Sequence, residues 1–134
     1  MECTEIDYET FNSVTKCDRD WSRVNLRCDK KMLVTLEDCQ NRKSIAHHKF
    51  NKNLRNHECD HSNSEECVEI EERLHVKLQE QLEKVQEYCD RKIEQVKEQR
   101  AELHEDLHYR CDPIYKRYGK CNRLRIHKIF KHIT

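Results

Sequence analysis

Residues that interrupt a regular backbone are almost absent from this chain, because its 134 residues include one glycine and one proline. Charged residues make up 39% of the sequence, and most of them are lysine, arginine or glutamate, which favour helices. A β-sheet protein needs many tight turns, and glycine and proline are among the residues that usually form them. The composition therefore predicts an all-α protein made of few, long helices.

Apolar residues and cysteines recur at helical spacing along both halves of the chain. In the first half the predicted inward positions are Cys17, Trp21, Val24, Cys28, Met32, Leu36, Cys39, Ala46, Phe50, Leu54 and His57. In the second half they are Cys67, Ile70, Leu74, Leu78, Leu82, Val85, Cys89, Ile93, Val96, Leu103, Leu107 and Cys111. Steps of four, four and three residues give eleven residues in three turns, which is close to the period of a straight α-helix. Two long helices are therefore predicted to meet along a coiled-coil-like seam with an eleven-residue, or hendecad, repeat.

A polar stretch from His57 to Glu66, which reads HECDHSNSEE, separates the two apolar stripes. Ser62 followed by Glu65 has the spacing of a capping box, and Ser64 is a second candidate N-cap. Two helices that are joined by a short turn lie side by side in opposite directions. The predicted fold is therefore a long antiparallel helical hairpin.

The chain is predicted to contain a first long helix over residues 1–57, a turn over 58–63, a second long helix over 64–111 and a basic tail over 112–134. The second helix is expected to end near Cys111, because Asp112 is suited to an N-cap and Pro113 to the first position of a new helix. The tail is expected to form a separate, short, basic amphipathic helix at the C-terminus.

The nine cysteines fall into a nested pattern. Residues that face each other in an antiparallel hairpin have position numbers that add up to a constant. Four pairs have position numbers that add up to between 124 and 128, namely Cys3 with Cys121, Cys17 with Cys111, Cys39 with Cys89, and Cys59 with Cys67. Each sum lies within two of 126, which corresponds to an offset of about 3 Å along the helix axis. We therefore predict four disulfides along the seam, with Cys28 as the free thiol.

Reduced thiols inside the seam are a second interpretation of the same cysteines. A free cysteine behaves as a small apolar residue and is often buried. Disulfides persist in oxidising compartments and are rare in the cytosol. A reduced seam would indicate a cytosolic coiled-coil scaffold or a cytoskeleton-associated protein, and the residues alone leave both interpretations open.

A zinc site near the turn is a weaker alternative. His57, Cys59, His61 and Cys67 offer the ligand types that zinc prefers, but their spacing matches none of the common zinc fingers. Zinc binding would also compete with a disulfide between Cys59 and Cys67. We therefore predict no metal and no cofactor, and we expect the other histidines on the helices to be exposed, namely His47, His48, His75, His104 and His108.

Sequence patterns typical of enzymes are missing, since no nucleophile elbow, phosphate-binding loop or HExxH motif occurs in the chain. We therefore expect no enzymatic activity. No stretch approaches the roughly 20 apolar residues that a membrane-spanning helix needs. The N-terminal residues also lack the basic and apolar regions of a secretory signal peptide.

Charge is unevenly distributed, although the formal net charge is zero. Residues 61–110 contain 14 acidic and 8 basic residues, a net charge of −6, and residues 111–134 contain 7 basic residues and one aspartate, a net charge of +6. The tail residues assigned to a membrane or partner contact are Arg125, Ile126, Lys128, Ile129, Phe130, Lys131 and Ile133. Residues 122–134 are therefore predicted to bind an anionic membrane surface or an acidic partner. Their apolar stripe argues against nucleic acid.

Two helices with paired cysteines, Cys17-x21-Cys39 and Cys89-x21-Cys111, joined by a turn, resemble the coiled-coil-helix-coiled-coil-helix proteins of the mitochondrial intermembrane space. Cys111-x9-Cys121 has the commonest spacing of that family. The repeated x21 spacing and the longer arms depart from its pattern. The resemblance implies a disulfide-stapled hairpin that is oxidised in the intermembrane space.

The sequence therefore predicts a non-catalytic structural or assembly subunit that contacts other protein subunits in an oxidising compartment. The resemblance makes the mitochondrial intermembrane space the first choice of compartment. A reduced cytosolic scaffold and a secreted helical effector remain alternatives.

Overall fold

A computed structural model of the chain describes the backbone of residues 3–57 and 64–133, and the side chains of residues 8–57 and 64–119. The described residues form two helices, α1 over Cys3–Asn56 and α2 over Glu65–Ile133. The two helices pack against each other in opposite directions. The predicted all-α helical hairpin is therefore confirmed.

Ser64 is the N-cap of α2. Its hydroxyl oxygen accepts a hydrogen bond of 3.2 Å from the backbone N–H of Cys67, and its carbonyl accepts one of 3.0 Å from the backbone N–H of Val68. Glu65 and Glu66 occupy the first turn, where carboxylates interact favourably with the helix dipole. The second of the two predicted caps is therefore confirmed, while Ser62 lies outside the described residues.

The predicted break after Cys111 is not present, because α2 continues through Pro113 to Ile133. Cys111 is fully buried in a disulfide just before the proline, and the side chain of Tyr115 is bonded to α1 just after it. These contacts hold both sides of the proline in helical phase and offset its cost of about 3 kcal/mol. The Asp112 carboxylate lies 3.0–3.1 Å from Nδ1 of His108 and does not cap a new helix.

Replacing Pro113 by alanine is expected to raise the free energy of unfolding by about 1–3 kcal/mol. Alanine restores a backbone N–H within the helix and removes the steric clash of the proline ring with the preceding turn. The reverse change at an exposed site of the same helix, Ala101→Pro, should lower the free energy of unfolding by about 3 kcal/mol or more. Urea unfolding followed by circular dichroism measures both, and a destabilising Pro113→Ala change would contradict the prediction.

The buried residues of α1 confirm the eleven-residue repeat. Cysteines recur at this interval and are all buried, at positions Cys17, Cys28 and Cys39. Thr35, which lies eleven residues from both Val24 and Ala46, is half-buried in the seam. Leu36, predicted to face inward, is 48% exposed. The strict repeat therefore outweighs hydrophobicity in deciding which of two neighbouring side chains faces the seam.

The same repeat operates in α2. His104 lies eleven residues from both Ile93 and Tyr115 and is half-buried, whereas its neighbour Leu103 is 37% exposed. The prediction that Leu103 faces inward was therefore wrong. Within the described residues, neither helix has a segment apolar and long enough to cross a membrane.

The chain divides into two compact units. The first unit comprises Met1–Asp29 and Lys97–Thr134, and the second comprises Lys30–Val96. The first unit contains a buried cluster with partly buried residues around it, made of Cys17, Leu107 and Cys111 together with Trp21, Val24, Ile114 and Tyr115. The buried residues of the second unit include Cys39, Ala46 and Cys89.

Candidate functional site

One disulfide links the two helices within each unit. Cys17 is bonded to Cys111 in the first unit, and Cys39 is bonded to Cys89 in the second. Both pairs have Cα atoms 5.8 Å apart, which lies inside the range of about 4.4–6.8 Å that a disulfide requires. Two of the four predicted pairs are therefore confirmed.

Both disulfides lie at seam positions where the helices come close together. All four half-cystines are buried, with exposed fractions between 0% and 6%. The axes of packed helices are on average about 8–10 Å apart, and small side chains at the contact allow a shorter distance between them. The eleven-residue repeat keeps the cysteines of each helix on the inner face. Each disulfide therefore holds the two helices in one fixed position relative to each other within its unit.

The other two predicted pairs include cysteines whose side chains the structure does not describe. Cys67 is disulfide-bonded, and its predicted partner Cys59 lies outside the described residues. The backbones of Cys3 and Cys121 belong to the two helices, but their side chains are outside the described set. The pairings Cys59–Cys67 and Cys3–Cys121 therefore stay predictions.

Cys28 is the free cysteine of the described residues, and it is buried with 3% of its surface exposed. The position numbers of both observed pairs add up to 128, which places Arg100 opposite Cys28 in the same register. Arg100 Nη1 instead donates a hydrogen bond of 3.0 Å to Oδ1 of Asp29, beside the thiol. The prediction that Cys28 remains unpaired is confirmed.

The zinc alternative loses one of its four proposed ligands. Cys67 is in a disulfide, so its sulfur is not a free thiolate for a metal ion. Cys59 and His61 lie outside the described residues, and His57 ends the described part of the first arm. Elsewhere in the described part of the chain, no group of three or more histidine, cysteine or acidic side chains is arranged to hold a metal.

Trp21 packs between two histidines in the first unit. Its ring centroid lies 5.0 Å from that of His104 and 4.9 Å from that of His108, the latter in an edge-to-face arrangement. Nε2 of His104 is 2.7 Å from Oδ1 of Asn25 on the opposite helix. The expectation that His104 is exposed was therefore wrong. The partial burial of His104 could have been predicted from the eleven-residue repeat, because His104 lies eleven residues from both Ile93 and Tyr115.

Tyr115 connects α2 to α1 about one helical turn after Cys111 of the first disulfide. Its hydroxyl donates a hydrogen bond of 2.6 Å to Oδ1 of Asp18. Burial disfavours the charged phenolate, and ionisation would also remove the bond to the Asp18 carboxylate. These two effects raise the pKa of Tyr115 to about 12 from an ordinary value of 10.0.

Alkaline pH is expected to remove the stabilisation contributed by Tyr115. Its pKa is higher in the folded chain than in the unfolded one, so this contribution is complete below pH 10.0 and disappears as the pH rises through about 12. Urea unfolding across this range should show a steeper loss of stability for the native protein than for Tyr115→Phe. Equal slopes for the two proteins would contradict the assignment.

A basic face runs along one side of the second unit. It consists of five exposed cations, Arg42, Lys49 and Lys52 on α1 with Lys77 and Lys92 on α2. The ring of Tyr88 lies beside two of them, because Cζ of Arg42 is 4.0 Å and Nζ of Lys92 is 5.6 Å from its centroid. Nη2 of Arg42 also donates a hydrogen bond of 3.3 Å to the Tyr88 hydroxyl. Tyr88 thus joins the parts of this face that come from the two helices.

A groove between the helices forms one end of the basic face. It has a volume of about 320 Å³ and is lined by Lys49, Phe50, Lys52, Asn53, Asn56, Leu74, Lys77, Leu78 and Gln81. Three lining residues are lysines and none is acidic, so the groove favours a negatively charged group.

Asp38 supplies the carboxylate next to Arg42 on α1, and this carboxylate is already hydrogen-bonded to the Arg42 side chain. Oδ2 of Asp38 accepts a hydrogen bond of 3.0 Å from Nε of Arg42, and this bond raises the pKa of the guanidinium above its ordinary value. From Cys39 to His57, the sequence of the first arm contains no acidic residue. The positive charge of the basic face is therefore not neutralised along α1.

The predicted basic tail is the last part of α2. Residues 112–133 continue the helix without a break, so the tail is not a separate element. The side chains assigned to a membrane or partner contact, from Arg125 to Ile133, lie outside the described set. Their role as a contact surface stays a prediction.

No protein-family model, curated protein or solved structure shows significant similarity to this chain.

Proposed function

We propose that this chain is a non-catalytic structural or assembly subunit whose stapled hairpin contacts partner proteins in an oxidising compartment. The two buried disulfides carry this proposal. Disulfides persist where the surroundings are oxidising, and each fixes the position of one helix against the other. A hairpin held in this way presents its exposed side chains to a partner in a constant arrangement.

The exposed surface of the hairpin supports a role in binding proteins. Several large apolar side chains are at least half exposed on the outer faces of the helices, including Leu26, Leu33, Val34, Ile45 and Val76. They are surrounded by polar and charged groups, and protein interfaces consist of an apolar core within a polar rim. The mitochondrial intermembrane space remains the compartment that we propose, on the resemblance of the paired cysteines.

The experiment that tests this proposal is native isolation of the chain from its own cells, followed by subcellular fractionation and thiol mapping. We expect the oxidised protein in an intermembrane-space fraction, with the Cys17–Cys111 and Cys39–Cys89 bridges intact and Cys28 free. We also expect cross-links to other subunits in an assembly larger than the chain itself. Nine free thiols in a cytosolic fraction would overturn the proposal and favour the reduced scaffold.

The C-terminal end of α2 is proposed as a further contact, either with an anionic membrane surface or with an acidic partner. The helix extends to Ile133, and residues 111–134 have a net charge of +6 in the sequence. Flotation with phosphatidylcholine vesicles, with and without phosphatidylserine, distinguishes the two. Binding that needs phosphatidylserine and is lost in Phe130→Ser would support the membrane, and absence of binding would leave the acidic protein as the proposed partner.

A further inference from the structure

The second unit has a surface of opposite charge on the other side of α2. We call this the acidic face, and it consists of the exposed carboxylates Glu72, Glu83, Asp90 and Glu94. Their spacings of eleven, seven and four residues place them on one side of a helix. Between Glu72 and Glu94 this side of α2 carries no basic residue, and the position between Glu72 and Glu83 is the neutral Gln79.

The two faces lie on different sides of the seam. Lys77 and Gln81 of α2 line the groove of the basic face, whereas Gln79 and Glu83 line a separate surface groove of about 390 Å³. One copy of the second unit therefore cannot bring its own basic and acidic faces together. Among the described residues, no ion pair involves Lys49, Lys52 or Lys77, so these cations are available to an external partner.

Exposed apolar side chains lie close to the charges on both faces. On α1, Ile45 follows Arg42 by three residues and precedes Lys49 by four, and it is 55% exposed. On α2, Val68 precedes Glu72 by four residues and is 46% exposed. Each face therefore combines charge of one sign, which a complementary surface can recognise, with apolar area that contact would remove from water.

We propose that a second copy of this chain docks its acidic face on the basic face of the first. Charge complementarity carries this choice of occupant, because the same chain presents both the cations and the carboxylates on different sides of one unit. The contact is heterologous, so a pair keeps one unused acidic face on the first copy and one unused basic face on the second. Association through such contacts continues beyond a dimer unless it closes into a ring.

This proposal is independent of the compartment and of the partner proteins proposed above, since it concerns contacts between identical chains. Exposed ion pairs are individually weak and are screened by salt. We therefore expect sedimentation velocity of the oxidised full chain to show species larger than a dimer at low salt. At about 1 M salt, where the screening length is about 3 Å, the protein should sediment as a monomer.

Charge reversal on each face tests the docking directly. The basic-face variant combines Lys49→Glu, Lys52→Glu and Lys77→Glu, and the acidic-face variant combines Glu72→Lys, Glu83→Lys and Glu94→Lys. Each variant alone should associate at least about 10-fold more weakly than the native protein at low salt. An equal mixture of the two should recover association, because the acidic surface of one then meets the basic surface of the other.

The control variant is Arg19→Glu, Arg23→Glu and Lys116→Glu, which makes the same change in net charge as the basic-face variant at exposed positions of the first unit. It should associate as the native protein does. Circular dichroism checks that every variant keeps its helices. A native protein that is monomeric at all concentrations in low salt would overturn the proposal, as would a mixture of reversed variants that stays monomeric.

Discussion

Replacing Cys17 and Cys111 together by alanine is expected to lower the free energy of unfolding by about 4 kcal/mol. The bridge joins residues 94 positions apart, so its removal frees a long loop in the unfolded chain, and the loop-entropy relation gives about 4–5 kcal/mol for a loop of this length. Alanine avoids placing a polar serine hydroxyl at Cys111, which is 0% exposed. The loss is a large part of the roughly 5–15 kcal/mol that stabilises a typical domain.

Urea unfolding without reductant measures this effect, with circular dichroism reporting on both helices. The fluorescence of Trp21, the one tryptophan of the chain, reports on the first unit, because it packs against the cluster formed by Cys17, Leu107 and Cys111. The matched comparison is alanine replacement of the second bridge. That bridge spans 50 positions, so the loop relation makes its contribution about 0.5 kcal/mol smaller.

Reductant supplies the control for the bridge experiment. It should destabilise the native protein strongly and should have a smaller effect on a variant that already lacks the first bridge. If the variant without Cys17–Cys111 unfolded at the same urea concentration as the oxidised native protein, the bridge would have no role in stability.

Replacing Leu107 by alanine is the second change with a large expected effect, a loss of about 2–5 kcal/mol. Leu107 is 1% exposed and is the largest fully buried side chain of the first unit, where it contacts the buried bridge and the residues around it. Truncation removes its buried apolar area and leaves a cavity. A hairpin with one narrow seam has few other contacts to compensate, because the other described residues that are buried in the first unit are only Thr10, Cys17, Cys28 and Cys111.

The matched control is the same substitution at Leu26, which also belongs to the first unit and is 72% exposed. Leu26→Ala should change the free energy of unfolding by no more than about 0.5 kcal/mol. Both variants are compared by urea unfolding under oxidising conditions. Similar losses at Leu107 and Leu26 would show that the seam is not the source of the stability.

Two predictions about the cysteines were confirmed because they depended on symmetry rather than on the identity of neighbouring residues. An antiparallel hairpin requires the position numbers of facing residues to add up to a constant, and Cys17–Cys111 and Cys39–Cys89 both follow one sum. Cys28 has no cysteine at the corresponding position of α2, and it is free. The cap at Ser64 could be predicted for a local reason, since a side chain that bonds the next turn needs only its own few residues.

Predictions at Asp112 and Pro113 failed because local signals there compete with contacts from the opposite helix. The dipeptide has the form of a helix start, and nothing in the adjacent residues indicates otherwise. The disulfide of Cys111 and the bond of Tyr115 to Asp18 come from α1, close to a hundred positions away in the sequence. Similar reasoning applies to His104, whose contacts with Trp21 and Asn25 also cross the hairpin.

The helical hairpin and the cysteines that can face each other were predictable from the amino-acid sequence, because composition, residue spacing and symmetry do not depend on which side chains pack together. Packing between the helices was needed to show which of two adjacent residues enters the seam, as at Thr35 and Leu36, and that α2 continues through Pro113. It also placed the cations of two helices around Tyr88. These outcomes depend on how closely the helices approach and on side chains brought together from distant positions, which local spacing does not encode.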